Sequence, residues 1–323
     1  MIYNPLDELC SKIKLNGGFV NAHAHLDRAY SVTSDKMESV VYKQLQEKWQ
    51  LVDSYKEKST TLDYEKVIFH AIEKQALMGT NACLSFIDLD PVSGWRAINA
   101  ANNVKGLLNG DFKFKIACQT LKGTLSDQMK FMVSNAVEAG FVDAIGSLPG
   151  ADRGREAEHL DFLMHLARSN EMPLHVHVDQ LNTSEEKETE LLARKTMQWG
   201  LEGKVVAVHG ISIACHDKPY RQELYKMCRD AGIYFVSCPV AWIDSRRTER
   251  LSPTHSAITP VDEMLEHGIK VAIGSDNIHD IYKPYATGDM KTELQFLLET
   301  THIYDESELI KIATTNGHEI LNL

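Results

Sequence analysis

The 323-residue sequence lacks any apolar run long enough to cross a membrane. Its longest apolar stretches, such as KVVAVHGISIAC at 204–215, fall well short of the roughly 20 residues that a spanning helix needs, so we expect no membrane segment. The first ten residues, MIYNPLDELC, contain no apolar signal core. The six cysteines form no CxxC pair, and without a secretory signal we expect reduced thiols in a cytoplasmic protein.

Basic residues are also scarce relative to acidic ones. There are 45 acidic and 34 basic residues, a formal net charge of -11, which opposes binding to nucleic-acid phosphates or anionic lipid. Hydrophobic residues make up 43% of the chain, a balance that excludes a disordered or fibrous protein. No repeat, low-complexity tract or Pro/Gly/Ser linker divides the sequence, so we expect one domain over residues 1–323 that binds a small molecule.

Short β-branched or apolar segments alternate with segments of helical periodicity along the chain. Strands are predicted at 17–23, 81–88, 112–118, 141–148, 172–178, 204–210, 232–238 and 268–275. Helices are predicted at 61–79, 124–139, 155–170, 184–202, 217–231 and 304–320. Eight strands alternating with helices favour an α/β fold of the (β/α)8 TIM-like barrel type over a doubly wound sheet. The polar stretch 31–60 is long for a loop, and we expect it to form a lid or an extra helix.

Four histidines and one aspartate stand at the C-terminal ends of predicted strands, where barrel active sites lie. Residues i and i+2 of a strand point to the same side, so the two histidines of NAHAHLD can face the mouth of the barrel together. The five residues are His23 and His25 on the first strand, His177 on the fifth, His209 on the sixth and Asp276 on the eighth. Three imidazoles and a carboxylate on one face predict a mononuclear metal site.

Simpler interpretations exist for each residue taken alone. A lone strand histidine is more often a buried residue hydrogen-bonded to backbone, but the combination on four strands is specific. His175 has the same parity as His177 and lies deeper, so we interpret it as a residue that supports the ligands. Asp27 and Asp179 follow strands and are more simply interpreted as helix caps.

The combination of these motifs resembles the amidohydrolase superfamily, in its cytosine deaminase and N-isopropylammelide amidohydrolase branch. The resemblance covers nearly the whole chain and rests on FVNAHAHLD, HVHVDQ, the VHG at 208–210, VDEMLEHGIKVAIGSDNIHD and YKPYATGDM. It implies that the metal ligands are His23, His25, His177 and Asp276, and that His209 orients the reacting oxygen or the attacking water. Binuclear members use a carboxylated lysine on the fourth strand, which FVDAIGSL lacks. We therefore expect one divalent metal ion, with zinc favoured over iron or manganese.

The chain departs from this family in two respects. Deaminases that resemble it have a proton-shuttling glutamate three residues beyond the fifth-strand histidine, whereas this chain has Gln180, which cannot carry a proton at neutral pH. The family's flanking β-sandwich is built from both termini, and we expect it to be absent because few residues precede the first strand. Formation of a homo-oligomer is one way in which the barrel ends could be covered instead.

These residues predict metal-dependent hydrolysis of a C–N bond in a cyclic amidine, amide or amino-substituted nitrogen heterocycle. Asp276 would take a proton from the metal-activated water and pass it to the leaving nitrogen, and His209 would stabilise developing charge. Substrate contacts are predicted from residues that follow the strands, each of which could equally be a solvated loop residue: Gln119, Gln180, Trp242, Asn277 and Asp280. The alternatives are ring opening of a cyclic amide and a non-catalytic barrel that binds a heterocycle.

Overall fold

The structure is a computed structural model that describes residues 4–43, 45–108, 110, 112–241 and 256–323. Its strands are β1 (Phe19–Ala24), β2 (Thr80–Asp88), β3 (Lys113–Gln119), β4 (Ile145–Ser147), β5 (Leu174–Val178), β6 (Val205–His209), β7 (Tyr234–Ser237) and β8 (Val271–Ile273). All neighbouring strands pair in parallel, in a three-stranded sheet β1-β2-β3 and a five-stranded sheet β4-β5-β6-β7-β8. The predicted alternation of parallel strands and helices is therefore confirmed.

Hydrogen bonding between the described strands does not run round a continuous barrel. The two sheets meet through single bridges, Ala117 with Ala144 on one side and Ala24 with Asp276 on the other. A glycine lies at each junction. A Cβ atom on Gly146 would overlap the carbonyl oxygen of Cys118, and one on Gly274 would come within 2.7 Å of His23. The backbones at both junctions are thus too close for any residue with a side chain.

Helices connect the strands. They are α1 (Pro5–Leu15), α2 (Met37–Val41), α3 (Leu45–Lys58), α4 (Thr61–Leu77), α5 (Arg96–Leu107), α6 (Asp127–Glu138), α7 (Glu156–Ser169), α8 (Glu188–Trp199), α9 (Lys218–Asp230), α10 (Val261–Glu266), α11 (Met290–Thr301), α12 (Glu306–Ala313) and α13 (Thr315–Ile320). Local sequence fixes several of their ends, as in α4, where Thr60 and Asp63 form a capping box. Among the described residues, no helix is both long and apolar enough to cross a membrane.

Alternate residues of each strand pack into different parts of the core. On β6, Val205 and Ala207 pack among the residues that face the helices, whereas Val206 and Val208 pack in the interior with residues of the other strands. Both faces of the sheet are therefore buried, which explains why these strands are apolar along their whole length. Residues at or just after the C-terminal ends of the strands, such as His177 and His209, line a cavity instead.

The polar stretch 31–60 forms α2 and α3, and α3 covers the C-terminal ends of the strands. Its Leu45 and Trp49 line the same cavity as His25 and His177. The Nζ of Lys48, also on α3, donates to the carbonyl oxygen of Tyr282 at 2.7 Å. The prediction of a lid or extra helix in this stretch thus corresponds to α3.

Several predicted boundaries were wrong. The fourth and eighth strands are much shorter than 141–148 and 268–275, and the helix predicted at 304–320 is divided into α12 and α13 at Thr314. The break at Thr314 has backbone angles of φ -131° and ψ -84°, which no helical periodicity reveals. Helices α1, α5, α10 and α11 were not predicted.

Candidate metal and active site

The five strand-end residues converge at one end of the fold, and all are at least 97% buried. His23 and His177 lie within β1 and β5, and His209 ends β6. His25 follows β1 directly, and Asp276 lies three residues after the end of β8. His209 and Asp276 have positive φ angles of 76° and 57°, a conformation that is strained for residues with side chains. Backbone strain of this kind is typical of functional sites, and here it occurs where two strands end beside the cluster.

The carboxylate of Asp276 contacts two of the imidazoles. Its Oδ1 atom lies 3.3 Å from Nε2 of His23 and 3.1 Å from Nε2 of His25. The ring centroids of His23 and His177 are 4.8 Å apart, and those of His177 and His209 are 5.4 Å apart. Potential ligand atoms lie within 4.8 Å of one another in two overlapping groups, His23 with His177 and His209, and His23 with His25 and Asp276.

Several nitrogen atoms of the cluster are buried without a hydrogen-bond partner among the described residues. They include Nε2 of His177 and Nδ1 of His209. The Nδ1–H of His177 donates a hydrogen bond to the carbonyl oxygen of Ser147 at 3.1 Å. In the neutral ring, Nε2 therefore carries no proton, and its lone pair is available to bind a metal ion. Buried polar atoms are normally satisfied, and a bound cation would satisfy Nε2 of His177.

The protonation states also fit a metal site. Burial lowers the pKa of His23 to about 4 and holds the pKa values of His25 and His177 well below their ordinary value, so these imidazoles are neutral at pH 7. Burial opposes ionisation of Asp276, but its contacts with His23 and His25 hold the pKa of this carboxyl well below its usual range. Neutral imidazoles and an ionised carboxylate are the forms that bind divalent metals, so the residues fit such an ion.

Phe86 on β2 supports the cluster and was not predicted. Its ring packs edge-on against His23 at 4.6 Å and against His177 at 4.7 Å between centroids. His175, which we interpreted as the supporting residue, is fully buried and has no hydrogen bond from either ring nitrogen to the described part of the chain. His175 is buried as predicted and packs edge-on against Phe86, with ring centroids 6.4 Å apart, so its contact with the cluster includes that ring.

Three buried polar side chains line a small cavity beside the cluster. Gln119 and Asn277, both predicted as substrate contacts, are 2% and 1% exposed, and their amide oxygens have no partner among the described residues. Arg28 was not predicted. It is 5% exposed, and its guanidinium lies 4.5 Å above the ring of Tyr282. Its Nε and Nη1 atoms lie 3.6 Å from Asp280 Oδ2 and 3.8 Å from Asp88 Oδ1, which is ion-pair distance but too long for hydrogen bonds. Unsatisfied buried donors and acceptors of this kind are suited to binding a polar ligand.

The other three predicted substrate contacts, Gln180, Asp280 and Trp242, do not all line the inner cavity. Gln180 lines the cavity beside the cluster. Asp280 accepts hydrogen bonds from Asn277 Nδ2 and from the backbone nitrogens of Tyr282 and Lys283, so it holds Asn277 in place from behind. Trp242 lies outside the described residues.

A larger, outer cavity lies beside this inner cavity. The inner cavity has a volume of about 20 Å³ and the outer cavity one of about 510 Å³. Four residues line both of them: Leu45, Trp49, Leu148 and Gln180. The outer cavity is therefore adjacent to the cavity that contains the histidine cluster.

Comparisons with known proteins identify the family of this chain. Residues 147–323 match the sequence model of the amidohydrolase family. An uncharacterised protein of Haemophilus influenzae is 44% identical over 262 residues, which cover 80% of this chain and 93% of that protein. The N-isopropylammelide isopropyl amidohydrolase of a Pseudomonas strain is 26% identical over 329 residues, covering 98% of this chain and 77% of its own.

Solved structures show the same fold. The 5-methylcytosine deaminase of Klebsiella pneumoniae, solved with phosphonocytosine, superposes with a TM-score of 0.85 at 23% identity, over 94% of this chain and 75% of its own. The resemblance inferred from the sequence motifs is thus confirmed. The chain belongs to the amidohydrolase family of hydrolytic enzymes.

Proposed function

We propose that this enzyme hydrolyses a C–N bond in a cyclic amidine, amide or amino-substituted nitrogen heterocycle and releases ammonia or an amine. The observation that carries the proposal is the buried cluster of neutral imidazoles around an ionised Asp276, open to a cavity with unsatisfied polar groups. The names of the relatives support it, because one is an amidohydrolase of N-isopropylammelide and another a deaminase of 5-methylcytosine.

We assign the metal ligands as His23, His25, His177 and Asp276, which would hold a single divalent ion, with zinc favoured over iron or manganese. When bound, such an ion acts as a Lewis acid and lowers the pKa of water toward roughly 7. Asp276 accepts the proton that the attacking water loses, and then delivers it to the nitrogen that leaves as the C–N bond breaks. One water is consumed for each bond cleaved, and its oxygen remains on the ring carbon.

His209 and the polar side chains of the inner cavity act on the substrate. The imidazole of His209, which neighbours His177 across the cluster, stabilises negative charge on the reacting oxygen or ring nitrogen. Arg28 donates to ring oxygens, and the amides of Gln119 and Asn277 pair with ring N–H and C=O groups. Gln180 positions the ring by hydrogen bonding but carries no proton.

We further propose that the two sheets act as one (β/α)8 barrel domain over residues 1–323. The closeness of the strands at Gly146 and Gly274 supports this arrangement. The absence of a flanking sandwich, homo-oligomer formation and a cytoplasmic location stay predictions.

The proposal is tested by screening amino-substituted pyrimidines, triazines and pterins for ammonia or amine release, with product masses recorded. Asp276→Asn should abolish release, whereas Asp230→Asn, at an exposed carboxylate on α9, should retain it. A product that keeps its nitrogen and gains a whole water would identify the ring-opening reaction instead. Tight binding of heterocycles without turnover of any of them, or full activity in Asp276→Asn, would contradict the proposal.

A further inference from the structure

The inner cavity is too small to hold the substrate by itself. Its volume of about 20 Å³ accommodates little more than one water molecule, whereas sites for small organic ligands typically measure roughly 300 to 1,000 Å³. The outer cavity, at about 510 Å³, lies within that range and shares a wall with the inner one. A molecule whose reacting carbon lies at Asp276 therefore extends past Gln180 into the outer cavity.

The walls of the outer cavity differ in character. One wall is apolar and comes from α3 and from the ends of β4 and β5, with Leu45, Trp49 and Leu148 at the opening to the inner cavity. The other wall carries four carboxylates, those of Glu156, Glu185, Glu186 and Glu188, and two cationic side chains. The cavity thus combines an apolar surface suited to a flat ring with a wall on which carboxyl groups outnumber cationic groups.

The cationic side chains do not neutralise the carboxylates. Lys187 lies over the ring of Tyr220, with Nζ 5.0 Å from the ring centroid. The charge of Arg153 lowers the pKa of Glu186, but burial and the carboxylate of Asp179 raise it by more. Glu186 Oε2 instead accepts from the Leu181 nitrogen and from Ser212 Oγ, both at 2.6 Å. These neutral donors hold the carboxylate in position without cancelling its charge.

The pKa values of Glu186 and Glu188, both in the outer cavity, reflect this shortage of positive charge. Burial, together with the neighbouring carboxylate of Asp179, raises the pKa of Glu186 to about 7. Burial and the carboxylates of Asp179 and Glu186 also raise the pKa of Glu188 well above its usual value. A cation between Glu186 and Glu188 would remove that repulsion and favour the ionised forms of both.

We propose that the outer cavity binds a basic substituent of the substrate, an ammonium, amidinium or guanidinium group, through Glu186 and Glu188. The substrate class is thus a nitrogen heterocycle that carries a cationic side group, with the ring against Trp49 and Leu148. This inference rests on the proposed function, since it places the reacting ring carbon at Asp276.

The test uses cytosine and ammelide rings that each carry, on the exocyclic nitrogen, a 2-aminoethyl, a 2-hydroxyethyl or a carboxymethyl group. These six probes are matched in length and differ in charge. Dissociation constants are measured calorimetrically at pH 8 on the metal-loaded enzyme. For at least one ring, the aminoethyl probe should bind about tenfold or more tightly than its hydroxyethyl analogue, because a charged hydrogen bond is added.

The E186Q/E188Q variant should lose this preference for the ammonium probe, since both amides are neutral. The control is E138Q/E266Q, which removes two exposed carboxylates outside both cavities and should retain the preference. Thermal unfolding of both variants establishes that they are folded.

Each outcome bears on the two proposals separately. If no probe binds, or if the hydroxyethyl or carboxymethyl analogues bind as tightly as the aminoethyl ones, the inference is overturned. Hydrolysis of the unsubstituted rings in that case would leave the proposed function standing. A preference for the ammonium probe that depends on Glu186 and Glu188, with no hydrolysis of any ring, would instead support the cation site and contradict the proposed function.

Discussion

Lys56, at the C-terminal end of α3, should contribute strongly to stability although it forms only ion pairs. It is 1% exposed, and its Nζ lies 2.9 Å from Asp88 Oδ2 and 2.5 Å from Asp90 Oδ2. Both carboxylates are themselves buried, and Asp88 is the last residue of the strand that carries Phe86. The contact therefore attaches the helix that covers the cavities to the end of β2.

The expected effect of Lys56→Met follows from the burial of these groups. Methionine fills much of the same volume but leaves the buried Asp90 without its cation and Asp88 with only the more distant Arg28, at 3.8 Å, which costs about 3–5 kcal/mol. Burial opposes the charge on Lys56, but Asp88 and Asp90 raise its pKa above the ordinary value, so the ion pairs persist over the whole range in which a lysine is ordinarily charged. The contribution of Lys56 is thus fully present at neutral pH and is lost only as the pH rises through the raised pKa.

The assay is chemical denaturation at pH 7.5, followed by tryptophan fluorescence and circular dichroism. The control is Lys105→Met, because Lys105 approaches Asp143 at 2.7 and 2.8 Å but is 38% exposed. An exposed pair contributes at most about 1 kcal/mol, so this variant should lose little. Equal, small losses in Lys56→Met and Lys105→Met would refute the reasoning from burial.

Three further predictions concern the sheet junction, the acidic wall and the missing glutamate. Gly146→Ala should lower the free energy of unfolding by about 3 kcal/mol, because its Cβ would overlap the carbonyl oxygen of Cys118. The control is Gly106→Ala, on open helix surface, which should raise the free energy of unfolding by about 0.5–1 kcal/mol. Thermal denaturation measures both. Because the folded-state pKa of Glu186 is raised to about 7, the native protein should lose stability relative to Glu186→Gln as the pH rises from 5 to 8, and parallel curves over that range would contradict this. Gln180→Glu should increase ammonia release from cytosine, since glutamate can carry a proton, and no increase would leave Gln180 as a positioning residue.

The sequence was most informative where a residue's position along a strand determines its direction. The strands and the strand-end positions of His23, His25, His177, His209 and Asp276 follow from periodicity, because parallel strands bring their C-terminal ends together. Helix α5 was missed because its sequence, RAINAANNVKGL, is rich in alanine and asparagine and has few large apolar residues to mark a face.

Features that depend on contacts between distant segments could not be predicted. Arg28 follows directly after the HAHLD motif, and arginine is a residue type that usually lies on the surface. In the structure, Asp88 and Asp280 lie within 3.8 Å of its guanidinium and allow its burial. Phe86 looks like any apolar strand residue, and only the arrangement of β1, β2 and β5 places it under the imidazoles. The outer cavity likewise exists only because α3 folds over the ends of β4 and β5.

The most direct test of the metal-dependent mechanism is the metal content per chain, measured by elemental analysis of protein purified without chelator. We predict about one equivalent of zinc, iron or manganese in the native protein. Most of it should be lost in His177→Ala and retained in His165→Ala, which changes an exposed histidine on α7. Protein that binds no divalent metal even after reconstitution, or an unchanged content in His177→Ala, would contradict the account.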